Sequence, residues 1–197
     1  MKAHDSKIVE IIPSINVRTF EEVKERIKKI EPYVEWCHLD VTDGIFSKHQ
    51  TWHDPRDLPN LRTSDLLKFE VHLMVNEPEK VINQWLIKPI KRVIVHLEAA
   101  KDADLIIKKC REAGIEVGFA VNPETSWENL EPWFEKVDIV QTLAVQPGPS
   151  GQELHPDIYE KIVQIRKLCK KCIIEVDGGI NPETAKKALE SGANLLV

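Results

Sequence analysis

Val34-Glu-Trp-Cys-His38-Leu-Asp40-Val41 reads as a β-strand that carries a histidine and an aspartate near its C-terminal end. In an extended strand residues i and i+2 point to the same face, so His38 and Asp40 project together. Downstream, Val71-His72-Leu73-Met74 and Val176-Asp177-Gly178-Gly179 set one more histidine and one more aspartate in strand-like runs. Two imidazoles and two carboxylates make a ligand set for a borderline divalent metal. Two carboxylates at one metal can also act as acid and base on opposite faces of a substrate. The pattern predicts an enzyme.

Working outward from that strand, the chain alternates strand and helix almost throughout. Ile8–Ile15 reads as a first strand, and Thr19-Phe-Glu-Glu22 is a capping box opening a helix to Ile30. After Val34–Val41 comes a polar loop from Thr42 to Pro55. Leu66–Val75 is a third strand, with a helix expected at Glu77–Leu86. Arg92–Glu98, Glu116–Val121, Val137–Val145, Cys172–Asp177 and Ala193–Val197 supply five more strands. Asp102–Ala113 and Pro156–Leu168 are amphipathic helices between them. Val121-Asn-Pro-Glu-Thr125 and Ile180-Asn-Pro-Glu-Thr184 form a weak repeat, each expected to open a helix with an Asn cap and a Pro in the first turn; Asn76-Glu-Pro-Glu79 is a looser copy.

Strands alternating with helices imply right-handed βαβ crossovers and a parallel sheet. Closed, that is an eight-stranded β/α (TIM) barrel; open, it is a doubly wound sheet. His38, Asp40, His72, Glu98, Asn122 and Asp177 all fall at or near C-terminal strand ends, where a barrel gathers its active site. A single barrel domain over residues 1–197 is therefore expected. Because the chain ends at Leu195-Leu196-Val197, the barrel is expected to lack its last helix and to leave an apolar strip uncovered between its first and seventh helices.

Composition limits the functional classes. The 197 residues are 42% hydrophobic and 30% charged, with a formal charge of −5, which disfavours a nucleic-acid surface. No apolar run approaches the ~20 residues of a membrane span, and Met1-Lys2-Ala3-His4-Asp5 lacks a signal-peptide core, so a cytoplasmic protein is expected. Four cysteines in a chain of this length do not read as a disulfide scaffold. Cys169-Lys-Lys-Cys172 matches C-x-x-C but lies between a helix end and a strand, so neither a redox nor a zinc role is assigned to it. Cys37 and Cys110 read as small buried apolar residues. His49, His53 and His155 read as loop residues, and His96 as pocket lining or core.

In order and spacing, Ile12-Pro13-Ser14, His38-Leu-Asp-Val-Thr-Asp-Gly44, Val71-His-Leu-Met74, Val95-His-Leu-Glu-Ala99, Val121-Asn-Pro-Glu-Thr125, Val145-Gln-Pro-Gly-Pro-Ser-Gly-Gln152, Val176-Asp-Gly-Gly-Ile180 and Gly192-Ala193 resemble the ribulose-phosphate 3-epimerase family of ribulose-phosphate-binding barrels. The likeness runs along nearly the whole chain. It implies an isomerase of the pentose phosphate pathway that interconverts D-ribulose 5-phosphate and D-xylulose 5-phosphate. It implies that His38, Asp40, His72 and Asp177 bind one divalent metal per chain, zinc first, with iron, manganese or cobalt also suited. Asp40 and Asp177 would be the proton acceptor and donor across an enediolate. Ser14, His72, Met74 and Asp177 would meet the substrate, and Gly148, Pro149, Ser150, Gly151, Gly178 and Gly179 would form its phosphate-binding turns, after the sixth and seventh strands.

The chain also departs from the family. Thr42 and Leu143 stand where methionines are usual, and Gly148-Pro-Ser-Gly151 replaces Gly-Phe-Gly-Gly, so Pro149 removes a backbone donor. Phe46–Asp54 differs from the family's Phe-Val-Pro-Asn stretch, and the Gly-Ser turn after the eighth strand is missing. The differences fall on substrate recognition, which keeps two alternatives in view: a hexulose (allulose) 6-phosphate 3-epimerase, and a sugar-phosphate-binding barrel with impaired turnover. Metal-independent relatives with an Asp-x-Lys-x-x-Asp pattern fit less well, because His38–Gly44 has no lysine. The expected partners are a small ketose phosphate and further copies of the chain, with no nucleic acid and no membrane.

Overall fold

A computed structural model describes residues 9–197; the expectations placed on Met1–Asp5 and Ile8 lie outside the described residues. All strands belong to one parallel sheet: β1 (Glu10–Ile11), β2 (Ser14–Ile15), β3 (Trp36–Thr42), β4 (Lys68–Met74), β5 (Ile90–His96), β6 (Glu116–Val121), β7 (Ile139–Leu143), β8 (Ile173–Asp177) and β9 (Leu195–Leu196). Their order is β1-β9-β8-β7-β6-β5-β4-β3-β2. Only Ile12 and Pro13 separate β1 from β2, and they carry the ladder across the gap. The Ile12 amide donates to Leu196 O (2.9 Å), and the His38 amide donates to Pro13 O (3.0 Å). The two ends of the order are thus one stretch of chain, interrupted where Pro13 has no N–H. The sheet closes into the expected barrel.

Strand parity divides the side chains. Cys37, Leu39 and Val41 of β3, Phe69, Val71 and Leu73 of β4, and Ile174 and Val176 of β8 belong to the large apolar core outside the ring. Ile12, Ile94, Ala120, Ile139 and Leu195 form a smaller apolar plug inside it. The interior is tight at Gly118, where an added Cβ would lie 2.4 Å from Ile139 Cγ2. Above the plug the inward positions are polar, and these carry the site.

The helices are α1 (Phe20–Ile30), α2 (Pro78–Val81), α3 (Ala103–Ala113), α4 (Ile158–Leu168) and α5 (Pro182–Ser191). The capping box of α1 forms as expected, with Val23 and Ile27 buried one turn apart. Asp102 caps α3, which stops at Gly114 in the left-handed region. Two expected helices are corrected. Glu77–Leu86 contains only α2 and a 3₁₀ turn, Ile82–Gln84. Of the two Asn-Pro-Glu-Thr copies, Asn181 caps α5, whereas the segment after Asn122 makes 3₁₀ turns at Trp127–Asn129 and Glu131–Trp133. Pro132 follows so closely that a continuing helix would lose a backbone bond there.

Two further expectations change. Cys169 and Cys172 are joined by a disulfide, since the end of α4 and the turn into β8 bring their Cα atoms to 5.5 Å. Cys37 and Cys110 are free and buried, as read. The last strand is not an exposed apolar strip: Leu195 points into the plug and Leu196 into the outer core, at 1% and 0% exposure. Exposed apolar side chains in this region are Val9 and Ile11. Among the described residues, no helix is long and apolar enough to cross a membrane.

Candidate active site

β3 sends His38 and Asp40 inward, β4 sends His72, and β8 ends on Asp177. One ligand atom from each of the four lies within 4.8 Å of the others. His38 Nε2 is 3.3 Å from Asp40 Oδ1 and 3.8 Å from Asp177 Oδ2. His72 Nδ1 is 3.5 Å from Asp40 Oδ1 and 3.1 Å from Asp177 Oδ2. Both histidines are fully buried, and His38 Nε2 and His72 Nδ1 have no hydrogen-bond partner among the described residues. Buried polar atoms without partners are costly. A divalent cation would satisfy both.

The opposite ring nitrogens are held from behind. His38 Nδ1 lies 2.7 Å from Glu70 Oε1, and the other Glu70 oxygen accepts from Arg92 Nη1 at 2.6 Å. His72 Nε2 lies 2.8 Å from His96 Nε2, whose Nδ1 faces Glu98 Oε2 at 3.3 Å. Glu98 in turn accepts from the Asn122 amide at 2.7 Å. A carboxylate or imidazole on the outer nitrogen fixes the tautomer and turns the inner lone pair toward the centre, the usual support of a metal-ligating histidine. His96 is thus neither pocket lining nor plain core; it backs His72, and the Phe46 ring packs against it with centroids 4.8 Å apart.

The electrostatics match that frame. Burial alone would raise the Asp40 pKa, but contacts with His38 and His72 outweigh it and hold the carboxyl well below its ordinary value. Burial lowers the basicity of both histidines, yet the facing carboxylates raise the pKa of each above that of free imidazole. Those oxygens thus attract positive charge to the centre, as protons or as a metal. Burial would raise Glu70 as well, but His38 and Arg92 hold it down to about 2. Burial, with the charge of Glu70 beside it, pushes the Glu175 pKa well above the usual carboxylate range.

Above the four groups opens a cavity of about 790 Å³ lined by Ser14, Asn16, Asp40, Met74, Leu143, Gly148, Pro149, Ser150, Gly151, Asp177, Gly178 and Gly179, among others. All the residues expected to meet a substrate are on its wall except His72, which lies beneath the floor. Gly179 adopts φ +68°, and a Cβ there would come within 2.6 Å of Leu154 N. Among the described residues no lysine or arginine lines this cavity, so an anion there would depend on neutral donors such as the backbone N–H groups of the glycine turns.

The residues that sequence reasoning passed over are Asn16, Glu70, Arg92, Gln141 and Glu175. Glu70 and Glu175 sit two positions before His72 and Asp177. A charged residue of ligand parity inside an otherwise apolar strand is the signal that could have found them.

Comparison with known proteins agrees with this geometry. The family described as "Ribulose-phosphate 3 epimerase family" matches residues 10–197. The chain belongs to the ribulose-phosphate 3-epimerase family. Relatives include the ribulose-phosphate 3-epimerases of Bacillus subtilis, 33% identical with 96% of this chain and 90% of that protein covered, and of Chlamydia muridarum, 36% identical with 81% and 72% covered. The chloroplastic ribulose-5-phosphate-3-epimerase of Arabidopsis thaliana is 34% identical, with 95% and 69% covered. Among solved structures, a mutant tryptophan synthase alpha-subunit from Pyrococcus furiosus superposes with a TM-score of 0.74 at 14% identity, over 95% of this chain and 86% of that one. At that identity it supports the barrel fold alone; family membership rests on the closer sequences.

Proposed function

We propose that this chain is a ketose-phosphate 3-epimerase interconverting D-ribulose 5-phosphate and D-xylulose 5-phosphate, with His38, Asp40, His72 and Asp177 holding one divalent metal. The observation that carries it is the convergence of two carboxylates and two unpartnered, buried imidazole nitrogens on the floor of the cavity. Zinc suits two nitrogens and two carboxylates best; iron, manganese and cobalt are the other candidates. When bound, a divalent ion supplies positive charge near the carbonyl and hydroxyl oxygens of the substrate.

Inversion at the carbon beside a ketone requires a base on one face and an acid on the other. Asp40 and Asp177 come from strands that have β2–β1 and β9 between them in the ring, and both reach the cavity wall. One takes the C3 proton, leaving an enediolate; the other returns a proton to the opposite face, and the roles exchange in reverse. The Gly148–Gly151 and Gly178–Gly179 turns bind the phosphate through backbone N–H groups, which fixes C3 over the two carboxylates.

The test combines metal analysis with turnover in deuterium oxide on pentulose and hexulose phosphates. About one zinc, iron, manganese or cobalt per chain is expected, with deuterium entering at C3 as ribulose 5-phosphate epimerises. Preference for a hexulose phosphate would reassign the substrate. Binding with neither epimerisation nor exchange would make the chain a sugar-phosphate-binding barrel.

A further inference from the structure

Each aspartate is touched by one neutral side-chain amide, and the two amides touch different kinds of oxygen. Asn16, just past β2 on the cavity wall, donates from Nδ2 to Asp40 Oδ2 at 3.3 Å and to the Gly148 carbonyl at 2.8 Å. Its Oδ1 lies 3.2 Å from His49 Nε2. Gln141, fully buried on β7, donates from Nε2 to Glu175 Oε1 at 2.8 Å and to Asp177 Oδ2 at 3.3 Å. The atoms turned toward the histidines are Asp40 Oδ1 and Asp177 Oδ2. Gln141 therefore holds the ligand oxygen of Asp177, whereas Asn16 holds the Asp40 oxygen left free by the ligand cluster.

We propose that Asn16 is a positioning residue for proton transfer at Asp40, and that Gln141 positions Asp177 as a metal ligand. The Asn16 half rests on the epimerase reading above. A carboxylate turns about its Cβ–Cγ bond unless both oxygens are held. The Asn16 N–H pins Oδ2 toward the cavity, and its second N–H ties that orientation to Gly148 in the glycine turn. His49 closes the joint by holding the amide oxygen. On Asp177 the free oxygen is the other one, Oδ1, and Gln141 does not touch it. The two acid/base groups are consequently supported unequally, and removing Asn16 should impair one of them.

The test uses full-length Asn16→Ala and Asn16→Leu, and Gln141→Leu with Gln141→Met as the second variant should branching at Cγ disturb the core. Each is checked for folding by circular dichroism and thermal unfolding. Zinc affinity is measured by competition with a chromophoric chelator. Steady-state kinetics and solvent deuterium exchange at C3 are followed from each epimer separately. The Asn16 variants should lose about 10- to 100-fold in kcat, keep wild-type zinc affinity, and slow C3 exchange of one epimer far more than the other. The surviving exchange would proceed through Asp177 without inversion. The Gln141 variants should bind zinc about 10- to 100-fold more weakly. Equal slowing of both epimers, or zinc loss in the Asn16 variants, would overturn the Asn16 assignment, and wild-type zinc affinity in both folded Gln141 variants would overturn the other. A wild-type protein that neither epimerises nor exchanges would sink the epimerase reading and the role of Asn16 with it, while the zinc measurements would still decide Gln141.

Discussion

His72 shows how little a single residue type says and how much its surroundings add. A buried histidine is ordinary when both nitrogens are bonded, but here one faces His96 and the other, among the described residues, has no partner in a centre of three further candidate ligands. His72→Ala removes one of the four proposed ligands and leaves the rest facing a gap. Metal content by elemental analysis should fall from about one ion per chain to near zero, and full retention would mean the ion sits elsewhere. Asp177→Asn keeps the shape of the site but removes the proposed proton-transfer group. It should lower kcat by about 10²–10⁴-fold, read on ribulose 5-phosphate with metal content measured alongside; unchanged turnover would exclude Asp177 as an acid/base group.

Among the elements, the 122–125 turn depends on a residue far along the chain. Lys161 on α4, only 7% exposed, donates to the carbonyls of Asn122, Pro123 and Thr125 at 2.8, 2.8 and 2.7 Å. That replaces the helix which the Asn-Pro-Glu-Thr pattern led one to expect, because the carbonyls converge on an ammonium instead of continuing a ladder. The same turn presents the Asn122 amide to Glu98, behind His96 and His72. Lys161→Met keeps the stem and removes the donors, so it should destabilise the fold by roughly 1–3 kcal/mol in urea denaturation. An unchanged midpoint would mean water replaces the ammonium at no cost.

For the molecule as a whole, pH reports on the polar interior. Burial would raise Glu70 and Glu98 above an ordinary 4.5, but cationic or imidazole partners outweigh it and hold both at about 2. A carboxylate whose pKa falls on folding contributes stability that is fully present above about 4.5 and lost as pH drops toward 2. The urea midpoint of the metal-free protein should therefore decline through that window. Glu98→Gln should make the decline shallower, since its neutral amide has no proton to gain. A decline just as steep in the variant would assign the acid sensitivity elsewhere.

The sequence by itself determined the strand–helix alternation, the parallel barrel and the identity of the four convergent groups. Those depend on local periodicity, caps and strand parity, all of which act over a few residues. It also carried the motifs of the family in order. Only the tertiary structure decided the rest. That the first strand breaks at Pro13 and still closes the ring depends on partners near residues 38 and 196. That Cys169 and Cys172 bond depends on the turn between α4 and β8. Strand parity marks Glu70 and Glu175 as inward-facing, but which partners they and Asn16, Arg92 and Gln141 hold was not legible, because each bond joins strands or loops at least 22 positions apart. Side-chain amides and carboxylates take their roles from what closure of the sheet sets opposite them, and no local pattern encodes that pairing.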